Sequence, residues 1–487
     1  MKDNLKVLFI AAEALPFAKV GGLADVASAL PKALRDVGVD ARLLIPRYGN
    51  IRSKDYDFHR IGNSIPVPAG PSEERVHLLQ TTSDDVPVYL IWDDHYFSAR
   101  EKVYGFRDDP MRFVFFSRAV IAVLKALDWT PDIIHANDWH TGPVPTWLDL
   151  YGRNEVAYKD IATLFTIHNL AYQGICGRLL LTFGRMDDVP HLPVEPPGQI
   201  NWMAQGVAHA DLISTVSSAY AREILQEESG MGLASLLQQR EDRLFGILSG
   251  IDVERWNPDT DEALPQTFDV DSLKMRLVNK TVLQRDLRLS GRVDVPLLGM
   301  VSRLDNIKGL DLLLAALETL LDEQDVEFVL LGTGELAYEE KFQALQARFP
   351  DNVRVLIKFD ERAARQIYGG VDAFVMPSRS EPSSVSVMTA MRYGAAPIVR
   401  ATGGLADIVV DADAQTDRGV GFTFEAYEER ALLDAMRRAI AAYADRERWE
   451  SIQRRAMEMD FSWNASAQAY VDLYQRALAL HQQARSS

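Results

Sequence analysis

Short runs of aliphatic and β-branched residues alternate with helix-periodic segments from one end of the chain to the other. Residues 6–12 predict a buried strand, 24–37 a helix and 40–45 a second strand. Further strands are expected at 132–136, 161–167 and 211–216, each followed by a polar or glycine-bearing turn. The second half repeats the rhythm, with strands at 295–301, 327–331, 353–359, 371–376 and 396–399. Strand–helix alternation of this kind predicts parallel sheets covered by helices on both faces. Residues 252–265, with Trp256-Asn257-Pro258-Asp259, lose the periodicity and separate the two halves. Residues 465–484, rich in Ala and Leu, predict a long helix.

Bulk properties narrow the class. A chain of 487 residues exceeds a single core, so two domains of roughly 200 residues are expected. The formal net charge of −17 argues against a nucleic-acid partner, because phosphate backbones need clustered Lys and Arg. Cys176 is the only cysteine, so no disulfide forms within the chain and a reducing, cytoplasmic setting is expected. The apolar run 7–10 is short and soon followed by Glu13, which fits a first strand rather than a signal peptide. Arg118 and Lys125 interrupt the best candidate for a membrane span, so no membrane partner is expected.

Several strand ends carry residues suited to anion and sugar binding. Lys19-Val20-Gly21-Gly22 opens a helix, where a lysine, glycine N–H groups and the helix dipole together suit a phosphate. Arg303 and Lys308 repeat that logic in the second half, although an ion pair with Asp305 or Asp311 is the plainer role. Glu381 follows a buried strand and precedes a helix, placed either to accept from sugar hydroxyls or to cap that helix. The pentapeptide Gly21-Gly22-Leu23-Ala24-Asp25 recurs as Gly403-Gly404-Leu405-Ala406-Asp407, each after a strand, as if one ligand were held from two sides. His135, Asp138, His140 and His168 sit at strand ends in a spacing that matches no standard zinc pattern, and read as polar groups lining a sugar pocket. Gly332-Thr333-Gly334 and Asp360 imitate a dinucleotide fingerprint, but beside Arg303 and Lys308 another kind of nucleotide binding fits better.

Together these segments resemble the bacterial glycogen synthase and plant starch synthase family of retaining glucosyltransferases. The resemblance spans nearly the whole chain. It rests on 19–25, 135–140, the Thr166-Ile167-His168-Asn169-Leu170-Ala171-Tyr172-Gln173-Gly174 segment, 246–252, 302–310, Glu381-Pro382 and 392–407. It implies an α/β protein of the GT-B fold, two Rossmann-like doubly wound domains facing an interdomain cleft. Residues 1–255 would lie on the acceptor side, 256–464 on the donor side, and 465–487 would form a helix crossing back to the first domain. It implies ADP-glucose as donor, the non-reducing end of an α-1,4-glucan as acceptor, and neither metal nor cofactor. Carried over by position, Lys19, Arg303 and Lys308 hold the diphosphate, with Gly21 and Gly22 beside it, and Thr402, Gly403 and Gly404 close on the phosphates. Glu381 binds the transferred glucose, together with the backbone of Ser383, Ser384 and Val385. Phe359 falls where an aromatic ring stacks on adenine. His168 and Asp138 border the reacting sugar, and Asp25 joins them among the catalytic candidates. Retention implies a front-face mechanism in which the departing diphosphate helps deprotonate the acceptor hydroxyl, with domain closure excluding water.

The chain also departs from the family pattern. Ser383-Ser384-Val385-Ser386-Val387 stands where the family usually has Cys-Gly-Leu-Thr-Gln, which puts a side chain at Ser384 in place of glycine. Ser249 replaces an Asn, and Gln205 a Lys expected near the acceptor. The alternatives are a related transferase using another donor, such as UDP-glucose, or another acceptor, and a non-catalytic glucan- or nucleotide-binding relative.

Overall fold

The computed structural model describes residues 5–486. Two compact units result: one runs to Gly250 and takes back the segment from Trp463, and the other is Ile251–Ser462. Each strand expected from an aliphatic run is present, with bounds shifted by a few residues at most.

A nine-stranded sheet organises the first unit. Lys6–Ile10 lies inside it, paired in parallel with Asp40–Pro46 on one side and Ile133–Asn137 on the other. The sheet continues outward through Ala162–Ile167, Leu212–Thr215 and Leu244–Gly246, all parallel. Ile133–Asn137 and Ala162–Ile167 are buried at every residue, as strands covered on both faces must be. Beyond Asp40–Pro46 the sheet differs from the all-parallel expectation. Val86–Trp92 pairs in parallel, but Ser72–Ser83 and His59–Ala69 add an antiparallel ribbon. That ribbon's outer strand is largely exposed and carries Pro66 and Pro68, which fits an edge. The helix Gly22–Asp36 buries Leu23, Val26, Ala27, Leu30 and Leu34 at helical spacing. The final helix, Trp463–Ser486, packs against it and buries Tyr470 and Tyr474 in the same core.

The second unit has a six-stranded, wholly parallel sheet. Its spatial order is Val353–Ile357, Glu327–Gly332, Leu297–Val301, Ala373–Met376, Ala396–Arg400 and Phe422–Phe424. The chain begins in the middle, works to one edge, then returns to build the other side. Loops leaving the two central strands therefore run to opposite faces, and the gap between them is where doubly wound sheets bind ligands. In the first unit the same reversal falls between Lys6–Ile10 and Ile133–Asn137.

Candidate active site

In the second unit, the reversal point brings together residues 302–309, after Leu297–Val301, and 377–384, after Ala373–Met376. Lys308 Nζ lies 2.7 Å from Glu381 Oε2, and Ser378 Oγ donates to the same oxygen at 2.9 Å. Both charged side chains are largely buried. Glu381 does not cap the following helix, Val385–Arg392; its carboxylate faces Lys308 instead. Arg303 reaches Asp305 at 3.3 Å and stays 70% exposed, so that ion pair is weak and the guanidinium remains accessible.

The segment 402–404 packs onto the same loop. Gly404 N–H donates to the Glu381 carbonyl at 2.9 Å. Gly403 adopts φ +47°, and a Cβ there would stand 2.2 Å from the Glu381 carbonyl oxygen. Only glycine fits. Gly21, the matching residue of the first pentapeptide, is extended at φ −130°, so the two repeats share position but not backbone shape.

Ser384 takes φ −134°, which accommodates a side chain, and is 2% exposed. The hydroxyls of Ser383 and Ser384 are buried without a hydrogen-bond partner. The side chain that replaces glycine at Ser384 is thus buried within the protein. Val385 begins the helix and is partly exposed. Phe359 is 93% exposed, following Val353–Ile357 beside a Lys358–Asp360 ion pair of 2.7 Å. Gly332 and Gly334 are shims rather than a phosphate cradle. A Cβ at either would strike the carbonyl of Ser302 or Leu304, so they let the Arg303 loop lie close. Asp360 caps the helix Glu361–Gly370 by accepting from Ala363 N–H.

The first unit assembles a second group. Asp138 sits in the left-handed region at φ +56°, a strained position for a non-glycine residue. Its carboxylate accepts from His168 N–H at 2.8 Å. Burial pushes Asp138 up to about 7, against the pull of the His168 and Asn169 N–H groups. Burial also holds His168 down to about 3, so its imidazole is neutral, and Nε2 donates to Asn137 Oδ1 at 2.8 Å. Lys19 Nζ pairs with Asp25 at 2.7 Å, and both are substantially exposed.

Two expected pocket residues belong to the core instead. His135 is fully buried between Tyr474 and Thr166, at 2.8 and 2.6 Å. His140 is buried and stacked on Tyr104, with ring centroids 4.9 Å apart. Gln205 is likewise internal, donating to Glu195 at 2.9 Å. The turn before the first helix is held by a buried carboxylate. The Val20 and Gly21 N–H groups point at the Glu13 carboxylate, with Gly21 at 3.1 Å, so Gly21 does not hold its N–H out for a phosphate. Glu13 was legible only as a charge soon after a buried strand, and Ser378 and Tyr104 carried no signal.

Comparison with known proteins completes the picture. Residues 6–239 match the family described as the starch synthase catalytic domain, and 289–456 that of glycosyl transferases group 1. A glycogen synthase of Moorella thermoacetica is 43% identical over 484 residues, covering 98% of both chains. One from Geotalea daltonii is also 43% identical over 484 residues, covering 98% of this chain and 99% of its own. Among solved structures, the catalytic domain of starch synthase IV from Arabidopsis thaliana, bound to ADP and acarbose, superposes with a TM-score of 0.89. It is 34% identical and covers 98% of this chain and 100% of its own. Full-length similarity to glycogen synthases and a shared GT-B architecture with a starch synthase have one reading: the chain belongs to the glycogen synthase and starch synthase family of glycosyltransferases.

Proposed function

We propose that this chain transfers glucose from ADP-glucose to the non-reducing end of an α-1,4-glucan, with retention of configuration. The observation that supports it best is the Lys308–Glu381 contact at the reversal point of the second sheet. An ammonium carries three N–H donors, so the bond to Glu381 leaves capacity for a phosphate oxygen. Lys308 with Arg303 then stabilises charge on the departing diphosphate, which is where transition-state charge develops. Glu381, oriented by Lys308 and Ser378, accepts from hydroxyls of the glucose. Val385 and the preceding backbone offer N–H groups at the start of a helix, favourable for an anion. Lys19, Gly22 and the 402–404 segment are assigned to the phosphates, and exposed Phe359 to the adenine face.

Asp138, His168 and Asp25 are assigned to the acceptor side. Neutral His168, with its Nε2–H given to Asn137, can accept at Nδ1 without adding charge. Asp138, near half-protonation at neutral pH, can take up or release a proton beside the reacting hydroxyl.

A donor panel tests the assignment of ADP-glucose. Purified protein with glycogen and either ADP-glucose or UDP-glucose is assayed for release of the nucleoside diphosphate. Faster turnover with ADP-glucose is expected; preference for UDP-glucose would replace the donor assignment.

A further inference from the structure

We propose that Glu13 is a positioning residue for the transfer reaction: it fixes the turn that presents Lys19 and Asp25, and it faces Asp138 with its charge. The proposal rests on the transfer reading above.

Glu13 is only 2% exposed. A buried carboxylate persists where hydrogen bonds replace its water, and Glu13 has them. It accepts from Val20 N–H, from Gly21 N–H at 3.1 Å, and from the Tyr104 hydroxyl. Gly21 flanks the helix Gly22–Asp36 and has no side chain to cap it. Glu13 supplies, from eight residues upstream, an acceptor for the N–H of the N-cap residue, the bond that a glutamate makes in a capping box. Lys19 immediately precedes this clamped pair of amides, and its partner Asp25 lies in the helix's first turn. The direction in which both side chains leave the backbone therefore depends on Glu13.

The charged and titratable groups facing Glu13 are Asp25, Asp138, Tyr48 and Tyr104. Tyr48 is occupied, donating to the Ala12 carbonyl. Burial raises Glu13, and the negative charges of Glu13 and Asp138 oppose one another. The loop after Lys6–Ile10 and the loop after Ile133–Asn137 are thus linked by charge as well as by topology.

Glu13→Gln, Glu13→Asp and the parent enzyme, compared with ADP-glucose and glycogen across pH, test this. With Glu13→Asp the KM for the donor is expected to rise roughly tenfold, and the KM for glycogen with it, because Asp25 leaves the same turn as Lys19. With Glu13→Gln the kcat/KM limb belonging to Asp138 is expected to move down, because a like charge has gone. Glu13→Asp keeps the charge but not the reach, so it raises the donor KM and leaves that limb in place. Amide hydrogen exchange without substrate should quicken about tenfold or more at Val20 and Gly21 in Glu13→Asp, and less in Glu13→Gln, which keeps one oxygen for both amides. Faster exchange with unchanged KM and pH limb would reduce Glu13 to a structural role, and unchanged exchange would overturn the proposal. An inactive parent enzyme would defeat the transfer reading, while exchange would still decide whether Glu13 holds the turn.

Discussion

Lys308 and Glu381 meet at 2.7 Å, tying together the two loops that leave neighbouring strands where the second sheet reverses its order. Side-chain exposures of 16% and 9% mean that each charge mainly offsets the desolvation of the other. Removing one partner strands the second. Lys308→Met is expected to lower stability by about 3 kcal/mol, read by chemical denaturation. Glu381→Gln keeps an oxygen for Lys308 and Ser378, so it should fold, yet transfer should fall by about a hundredfold or more. Near-normal turnover in that variant would remove Glu381 from the sugar.

Gly403 makes a sharper steric case. A methyl group there meets the Glu381 carbonyl, at a backbone angle that L-residues rarely adopt. Gly403→Ala is expected to destabilise the second unit by at least about 1 kcal/mol and to raise the KM for the donor. Unchanged stability and KM would mean that 402–404 does not need this close approach.

Ser384 carries the opposite expectation. An unpartnered buried hydroxyl costs about 1–3 kcal/mol, so Ser384→Ala should be neutral or stabilising by thermal denaturation. Because the side chain turns inward, the donor KM should stay within about twofold. Converting Ser383-Ser384 to Cys-Gly should likewise yield little gain in activity. A large gain would show that the serines restrain the enzyme.

The last helix carries a pH-dependent contact. Burial disfavours the His481 imidazolium, but hydrogen bonds to Asp211, 3.2 Å from Nδ1, outweigh it and raise the pKa. Charged His481 therefore contributes stability that is fully present below the ordinary histidine pKa and is lost as pH rises through the raised value. His481→Gln should accordingly be less stable than the parent at about pH 5.5, with the difference shrinking by about pH 9. A difference independent of pH would mean that packing alone ties the helix down.

Much of this architecture can be read from periodicity, because strands covered on both faces leave unbroken aliphatic runs such as 133–137 and 162–167. The ribbon His59–Ala69 and Ser72–Ser83 escapes that reading, since its exposed faces dilute the alternation. The placement of Lys308 and Glu381 on loops after buried strands was also legible. Burial was not: His135 and His140 share a motif with Asp138, yet the strand 133–137 and Tyr474 bury the first, and Tyr104 stacks on the second in the turn that follows. Burial was equally hidden at Ser384, where the departure from the family's glycine does not say which way the side chain lies. Glu13 acts through two amides seven and eight residues away, a relation that only the folded turn reveals.

The most direct test is a glucan-elongation assay: purified protein, ADP-glucose and a short maltooligosaccharide, with the product's new linkage read by the NMR signal of its anomeric proton. Longer chains carrying new α-1,4 linkages, with one ADP released per glucose added, are the expected result. Absence of elongation, or a product with inverted configuration, would contradict retaining glucosyl transfer by this chain.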